Sequence, residues 1–571
     1  MALRQDVEHI VRVVWRNIGF VCVAVVLIYC VVHAFDPPRL NWGDSMSDYN
    51  VMTSGRNFQK YGFLNLHFTP RLMDPAYTRS FEPVFIYTHY PQLPDLMNGV
   101  LRVVFHMESL TAFRFVALLF SFSALFFVYR LLEQYWGRET AQIGLALWVV
   151  NPLWIQHADY LHHAPYAAFF GFGSVYLLGR SLREQRHSLL AASGIFLFLT
   201  VLASYDYWFF APLLLALATV AHYRTIASWS VARPLAVLAL FAIAGLLAKL
   251  GSNAWALGGV DPWLRDLRFQ FAERATDKIT RTSYRLGALT TAYGRVERFF
   301  TVVFIPVALF WAVIPLARGR WKTSLFARAR EIPNPWFVFF AALPFLYLFT
   351  EIWVAQYYPT LLVLPFYAIA TAALIALLLL NGRTRLIGGF MFAALISNSV
   401  YETVGFKKAY FDLNTVRTMS AQLDSVAGPG QQILINHVFD APYRYYFNRN
   451  TIAAALFPPR VADVGLESFA DLRRHPRSAG PEGAIFVQHK HVKDELYDKG
   501  YYYIFGRLRL WALWANPEKH RGLVDEMIVE RDSTLMAHVE RLGHKLYDAP
   551  AYAIWRIPPP RPATGESSQT P

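Results

Sequence analysis

Apolar residues in this chain gather into runs near the length that crosses a bilayer, separated by short polar breaks, so the pattern predicts membrane helices. The runs lie at roughly 14–35, 111–131, 139–157, 163–180, 188–204, 206–222, 232–256, 299–317, 335–351, 357–380 and 385–401, about eleven in all. The first follows a basic stretch (Arg4, Arg12, Arg16) with no small-residue cleavage site after it. It therefore predicts an uncleaved signal anchor with its N-terminus in the cytoplasm. Two long polar stretches interrupt the runs, residues 36–110 and 258–298. Within the first, a helix is expected from Asp44 through Phe58, and the apolar segment Leu93 to Phe105 predicts an interfacial helix with Pro94 in its first turn. Within the second, Trp263, Leu264, Leu267, Phe269 and Phe271 interleave with Arg265, Arg268, Arg274, Lys278, Arg281 and Arg285. That mixture predicts an amphipathic helix on the membrane surface, serving either as a headgroup anchor or as a cationic wall for a phosphate-bearing lipid.

After about Tyr401 the chain is polar enough to fold in water. QQILINH, AIFVQHK and AYAIWRI predict short buried strands, and APYRYYFNR a helix or turn between strands. The expected fold is an all-α polytopic membrane domain over residues 1–401, followed by a small α/β domain over 402–558 outside the cytoplasm. Residues 559–571, rich in proline and small polar residues, are expected to be disordered.

Composition agrees. Of 571 residues 55% are hydrophobic and 16% charged, against about 25% charged in ordinary soluble domains; mean hydropathy is +0.27. The net charge of +14 would suggest nucleic acid in a soluble protein. Here much of the excess falls in loops that the positive-inside rule assigns to the cytoplasm, which argues against nucleic acid. Those loops carry Arg130 and Arg138, Arg180 to Arg186, Arg318 to Arg330, and Arg383 and Arg385, whereas the short loops near 158–162, 205 and 351–356 have no Lys or Arg. The bias places the 36–110 and 258–298 loops and the tail on the outer face. Cys22 and Cys30 share the first run, about 12 Å apart along a helix, too far to form a disulfide.

The outer face also gathers the candidate chemistry. Asp44 and Asp48 are one helical turn apart on one face. Either could act as a general base or bind a cation, or Asp44 could simply start the helix as its cap. Arg56 lies on roughly the same side and could hold a phosphate or pair with an aspartate. His89 and Tyr90 open the rigid segment HYPQLP, as substrate contacts or as a cap. Asp159, His162 and His163 follow the third run, Tyr205 and Asp206 separate the fifth from the sixth, and Gln356 and Tyr357 open the tenth. Ionisable groups at membrane depth are costly, so their convergence on one leaflet points to function. Within residues 36–110 HxxE, HExxH and a close His–Asp cluster are missing, and the chain has no phosphate-cradling glycine loop.

An acidic residue after the first run (Asp44 or Asp48), the segment Gly55-Arg56-Asn57-Phe58-Gln59-Lys60-Tyr61-Gly62-Phe63, the segment His89-Tyr90-Pro91-Gln92-Leu93-Pro94, and Arg114 early in the next run occur in this order. Together they resemble the membrane-embedded glycosyltransferases of the GT-C fold, in the group of protein mannosyltransferases and lipid A aminoarabinose transferases (glycosyltransferase families 39 and 83). The chain departs from that pattern in two places. Ser45 follows Asp44 where relatives have an adjacent Asp-Glu pair, and Gln356 stands where relatives begin a His-x-Tyr motif.

The resemblance implies an inverting transfer of a sugar from a polyprenyl-phosphate donor to an acceptor hydroxyl at the outer face of a bacterial inner membrane. Asp44 would be the base and Asp48 second to it. Arg56, Arg281 and Arg285 would face the phosphate, and His89 and Tyr90 the sugar or acceptor. Arg114, Asp159, His162, His163, Tyr205, Asp206, Gln356 and Tyr357 complete the expected substrate-binding set. The acceptor would be a lipid, polysaccharide or protein; no cofactor is firmly implied, and a divalent metal is admitted. The rival readings are a lipid-sugar flippase or polysaccharide transporter without catalysis, which would place more polar residues mid-depth in the bundle, and an inert scaffold that binds a partner through its tail.

Overall fold

A computed structural model describes residues 15–37, 44–72, 86, 91–222, 232–271, 300–301, 303–315, 329, 332–348, 358–405, 413–428, 431–436, 440–448, 451–453, 484–490, 536–537, 539–541 and 543–558. Its described N-terminal part is mainly helical, with one isolated bridge between Arg71 and Ile86. Helix α1 (Ile18–His33) precedes the two outer-loop helices, α2 (Asp44–Tyr61) and α3 (Leu93–Phe105). The bundle continues through α4 (Leu110–Trp136), α5 (Arg138–Val149), α6 (Pro152–His157), α7 (His163–Glu184), α8 (His187–Ala203), α9 (Asp206–His222) and α10 (Ala232–Ala256). Then come α11 (Val260–Phe271), α12 (Phe304–Val313), α13 (Trp336–Leu348), α14 (Leu364–Leu380) and α15 (Arg385–Gly405).

Each expected apolar run carries a helix. The run at 139–157 is two helices rather than one: Asn151 takes an extended conformation before Pro152, and its side chain accepts from the Leu153 amide at 3.0 Å, capping α6. Among the described residues, Leu110–Trp136, Ala232–Ala256 and Thr360–Leu380 are long and apolar enough to cross a membrane by length and composition, and five further apolar helices are shorter.

The bundle is apolar on its outer surface as well as inside. On α1, Val25 and Ile28 are 61% and 65% exposed; on α15, Leu386 and Phe390 are 89% and 78% exposed. An apolar surface of this extent calls for an apolar surrounding. Helix α3 shows the same reversal within one element. Asp95, Asn98 and Arg102 are buried, while Val103, Val104 and Phe105 face outward. The expected interfacial helix is thus present, with its polar stripe turned into the protein. Glycine permits this packing: a Cβ at Gly55 of α2 would lie 1.9 Å from Asn98 Oδ1, and one at Gly99 of α3 would lie 2.9 Å from Phe58 Cβ.

The tail holds helix α16 (Leu413–Val426), strand β1 (Gln432–Ile435), helix α17 (Asp440–Phe447), and strands β2 (Thr451–Ala453), β3 (Ala484–His489), β4 (His544–Asp548) and β5 (Tyr552–Ile557). The sheet order is β2-β1-β3-β5-β4, with β1 parallel to β2 and β3 and with β5 antiparallel to β3 and β4. Ile433, Ile435, Ile485 and Val487 pack beneath α16 and α17, whereas Leu434, Phe486 and Trp555 pack on the opposite face with Met536 and Val539. Burial on both faces explains why the three expected strands are continuously apolar. Strands β2 and β4 were not foreseen: β4 is largely exposed, and its HKLYD sequence has no apolar signature.

Candidate active site

The first turns of α2 bring Asp48 over the connection between α6 and α7. Asp48 is 7% exposed, and its Oδ1 accepts from the Leu161 amide at 2.9 Å. That bond ties α2 to the bundle. Beside it, Arg114 on the first turn and a half of α4 is 2% exposed. Its Nη1 donates to the Ala34 carbonyl at 3.3 Å and the Asp36 carbonyl at 2.7 Å, satisfying acceptors at the C-terminal end of α1. Its Nε lies 3.9 Å from Asp159 Oδ2. Arg114 therefore fastens α1, α4 and the α6–α7 connection together.

His162 and His163 follow on the same connection, both buried, with their Nδ1 atoms in contact. His163 Nε2 lies 3.3 Å from Asp206 Oδ2, at the start of α9. The Asp206 amide is in turn capped by Ser204 Oγ at 3.2 Å. Burial, reinforced by the neighbouring His163, holds His162 well below the usual imidazole range, so it is neutral at pH 7. Asp48, Arg114, Asp159, His162, His163 and Asp206 thus form one buried polar patch drawn from α2, α4, the α6–α7 connection, α7 and α9. Tyr205 stands apart, its ring 4.4 Å from that of Trp208. Below the patch an apolar cleft opens between Leu125, Trp148, Trp154, His157, Phe172 and Tyr207.

Arg56 goes elsewhere. Its Nη1 donates to the Tyr445 carbonyl at 3.1 Å and to Asn448 Oδ1 at 2.7 Å, and the guanidinium lies 4.1 Å above the Tyr445 ring. Asn448 takes the left-handed conformation (φ 51°) just past α17, which asparagine tolerates better than most residues. Two turns back on α2, the Tyr49 hydroxyl meets the Tyr446 hydroxyl at 3.1 Å. Burial raises the Tyr49 phenol well above its ordinary range, and Tyr446 adds to the shift. In this structure Arg56 thus meets Tyr445 and Asn448 of the tail.

Among the described residues no group of three His, Cys, Asp or Glu side chains is placed to hold a metal ion. Asp44 is described only by its helical backbone, and His89, Tyr90, Arg281, Arg285, Gln356 and Tyr357 lie outside the described residues.

The sequence reading missed a second polar group, on the buried face of α3. Arg102 Nε donates to Asn98 Oδ1 at 2.9 Å, and the guanidinium lies 5.0 Å from the Phe113 ring centre. Burial pushes Asp95 up to about 7, against the opposing pull of the Ser54 hydroxyl and the Lys249 ammonium. Lys249, on α10, is fully buried. Two signals were legible: the helical spacing of Asp95, Asn98 and Arg102, and a lone lysine inside an apolar run.

Comparison with known proteins follows this geometry. No family model matches the chain, and no curated protein matches it. Solved structures do. An oligosaccharyltransferase from Archaeoglobus fulgidus, crystallised with zinc and sulfate, matches 85% of this chain and 69% of its own at 12% identity, with a TM-score of 0.50. The chain has the GT-C fold. ArnT from Cupriavidus metallidurans, bound to undecaprenyl phosphate, aligns over 94% of this chain and 97% of its own at 12% identity, with a TM-score of 0.43. AglB from Archaeoglobus fulgidus, in complex with an inhibitory peptide and a dolichol-phosphate, aligns over 88% and 72% at 13% identity, with a TM-score of 0.47.

Proposed function

We propose that this chain is an inverting glycosyltransferase that moves a sugar from a polyprenyl-phosphate donor to an acceptor hydroxyl at the outer face of a bacterial inner membrane. The observation that carries the reading is the buried acidic and imidazole patch under α2, at one end of an apolar-surfaced bundle. The GT-C fold and the outward apolar face of α3 agree with a substrate delivered from the lipid. The oligosaccharyltransferase and transferase neighbours with bound dolichol-phosphate or undecaprenyl phosphate suggest the donor class. The eleven-span topology, with the tail outside, belongs to the same proposal.

In this reading Asp44 is the base and Asp48 supports it from one turn along α2. The base takes the proton from the acceptor hydroxyl as its oxygen attacks the anomeric carbon. The bond from that carbon to the phosphate oxygen breaks, and the lipid phosphate leaves with the electron pair, so the anomeric centre inverts. Cations facing the phosphate stabilise the charge that develops on it; Arg281 and Arg285 of the outer loop are the proposed contributors. The His162–His163 pair and Asp206 border the sugar or acceptor.

Deletion of the gene is expected to cause one glycosylated polyprenyl phosphate to accumulate, read by mass spectrometry of membrane lipids. Purified protein should then consume that lipid in detergent, where a transporter without catalysis does nothing. Asp44→Asn should abolish consumption while the thermal unfolding transition stays in place. Full turnover by both Asp44→Asn and Asp48→Asn would remove the base assignment.

A further inference from the structure

The patch around Asp48 does not use Lys249. This side chain is 0% exposed, and among the described residues its Nζ has no hydrogen-bond partner. It sits seven residues before the end of α10 (Ala232–Ala256), about 10 Å along the helix axis and so near headgroup depth. A buried ammonium without a partner is costly, because its hydration is lost and not replaced. Such a group is kept where something of opposite charge is to meet it.

The surroundings are built rather than accidental. The Ser252 hydroxyl donates to the Lys249 carbonyl at 2.9 Å and accepts from Gln92 Nε2 at 3.2 Å, while Thr69 Oγ1 donates to the Ser252 carbonyl at 3.1 Å. These bonds fix the entry to α3 beside the lysine. Two further buried atoms there lack partners, Asp95 Oδ1 and Gln92 Oε1. Asp95 acts electrostatically on Lys249, yet no ion pair closes between them. Both helices turn apolar side chains outward nearby in sequence, Leu247 and Trp255 on α10 and Val100 and Val104 on α3. An ammonium framed by lipid-facing helices suits a phosphate carried on a hydrocarbon chain.

We propose that Lys249 is the seat of the phosphate group of the polyprenyl carrier, entered from the membrane between α3 and α10. The assignment rests on the glycosyltransferase reading. Lysine offers three donors to an acceptor-only phosphate. Asp95 need not oppose binding, because near neutral pH its carboxyl is partly protonated and can donate to a phosphate oxygen. Asp266 is the other acidic group acting on Lys249, and Tyr166 is near enough to Asp95 to be influenced by it.

The test is direct binding in detergent with three probes: undecaprenyl phosphate, undecaprenol and inorganic phosphate. Wild type should bind the first well and the other two weakly. Lys249→Met should weaken undecaprenyl phosphate binding by about tenfold or more, the scale of one lost charge-assisted bond. Lys249→Arg should keep most of the affinity, and Asp95→Asn should bind at least as tightly as wild type. Lys249→Gln carries the comparison if the methionine variant does not fold. Undiminished binding by the neutral variants overturns the assignment to Lys249 alone. A wild type that binds none of the probes overturns both this assignment and the polyprenyl-phosphate reading. Equal binding of inorganic phosphate and the lipid would show that the site takes free phosphate, and would overturn the carrier assignment.

Discussion

At the residue scale, two carboxylates with different surroundings separate structure from titration. Asp48 accepts a backbone amide that has no other route to water. Asp48→Asn keeps an acceptor for the Leu161 amide, whereas Asp48→Ala leaves it bare. The alanine variant should therefore be less stable than the asparagine variant by about 1–3 kcal/mol, compared by denaturant unfolding of the two. Asp95 behaves oppositely. Burial raises its folded-state pKa from 3.8 to about 7, so between those values the folded state holds a proton that the unfolded state has lost. Its contribution to stability is present below pH 3.8 and is lost as pH rises through about 7. Thermal stability in detergent should decline over that window, and Asp95→Asn should flatten the decline. The sequence made Asp48 visible because it lies in a loop next to a span. Asp95 stayed hidden because its helix was read from its apolar face, and a buried polar stripe is what a soluble-protein rule does not expect.

At the element scale, α2 is the part on which the others depend. It packs along α3 through Gly55 and Gly99, is pinned to the bundle by Asp48, and is gripped by α17 through Arg56 and Tyr49. Arg56→Ala removes two hydrogen bonds and a ring stack, so it should loosen the tail, seen as faster hydrogen exchange in 440–448, with the bundle helices unchanged. Arg56→Lys should behave nearly as badly, since an ammonium cannot both stack and fork. Existence of the helices was legible from run length, because a span must be long and apolar; the break at Asn151-Pro152 was legible only in hindsight, as a cap followed by a proline. Helix α17 was foreseen as a helix or turn. Its contact with a helix hundreds of residues earlier leaves no local signature, so the sequence offers a phosphate or an aspartate as partners of Arg56 and not Tyr445 or Asn448.

At the scale of the whole molecule, an apolar-surfaced bundle and the α/β tail meet through Arg56, Tyr49, Tyr445, Tyr446 and Asn448. With the tail outside, alkaline phosphatase fused after Ile557 should be active in cells, and a green fluorescent protein exported there through the same route should be dark. The reverse pattern would invert the proposed topology. The α17–α2 grip also sets a clock. Arg56 and Asn448 are 392 residues apart in the chain, and synthesis at about 5–20 residues per second leaves roughly 20–80 s between making the two. During that interval α2 lies on the nascent chain without its clasp, and a ribosome that stalls short of the tail leaves a truncated chain whose α2 is never clasped.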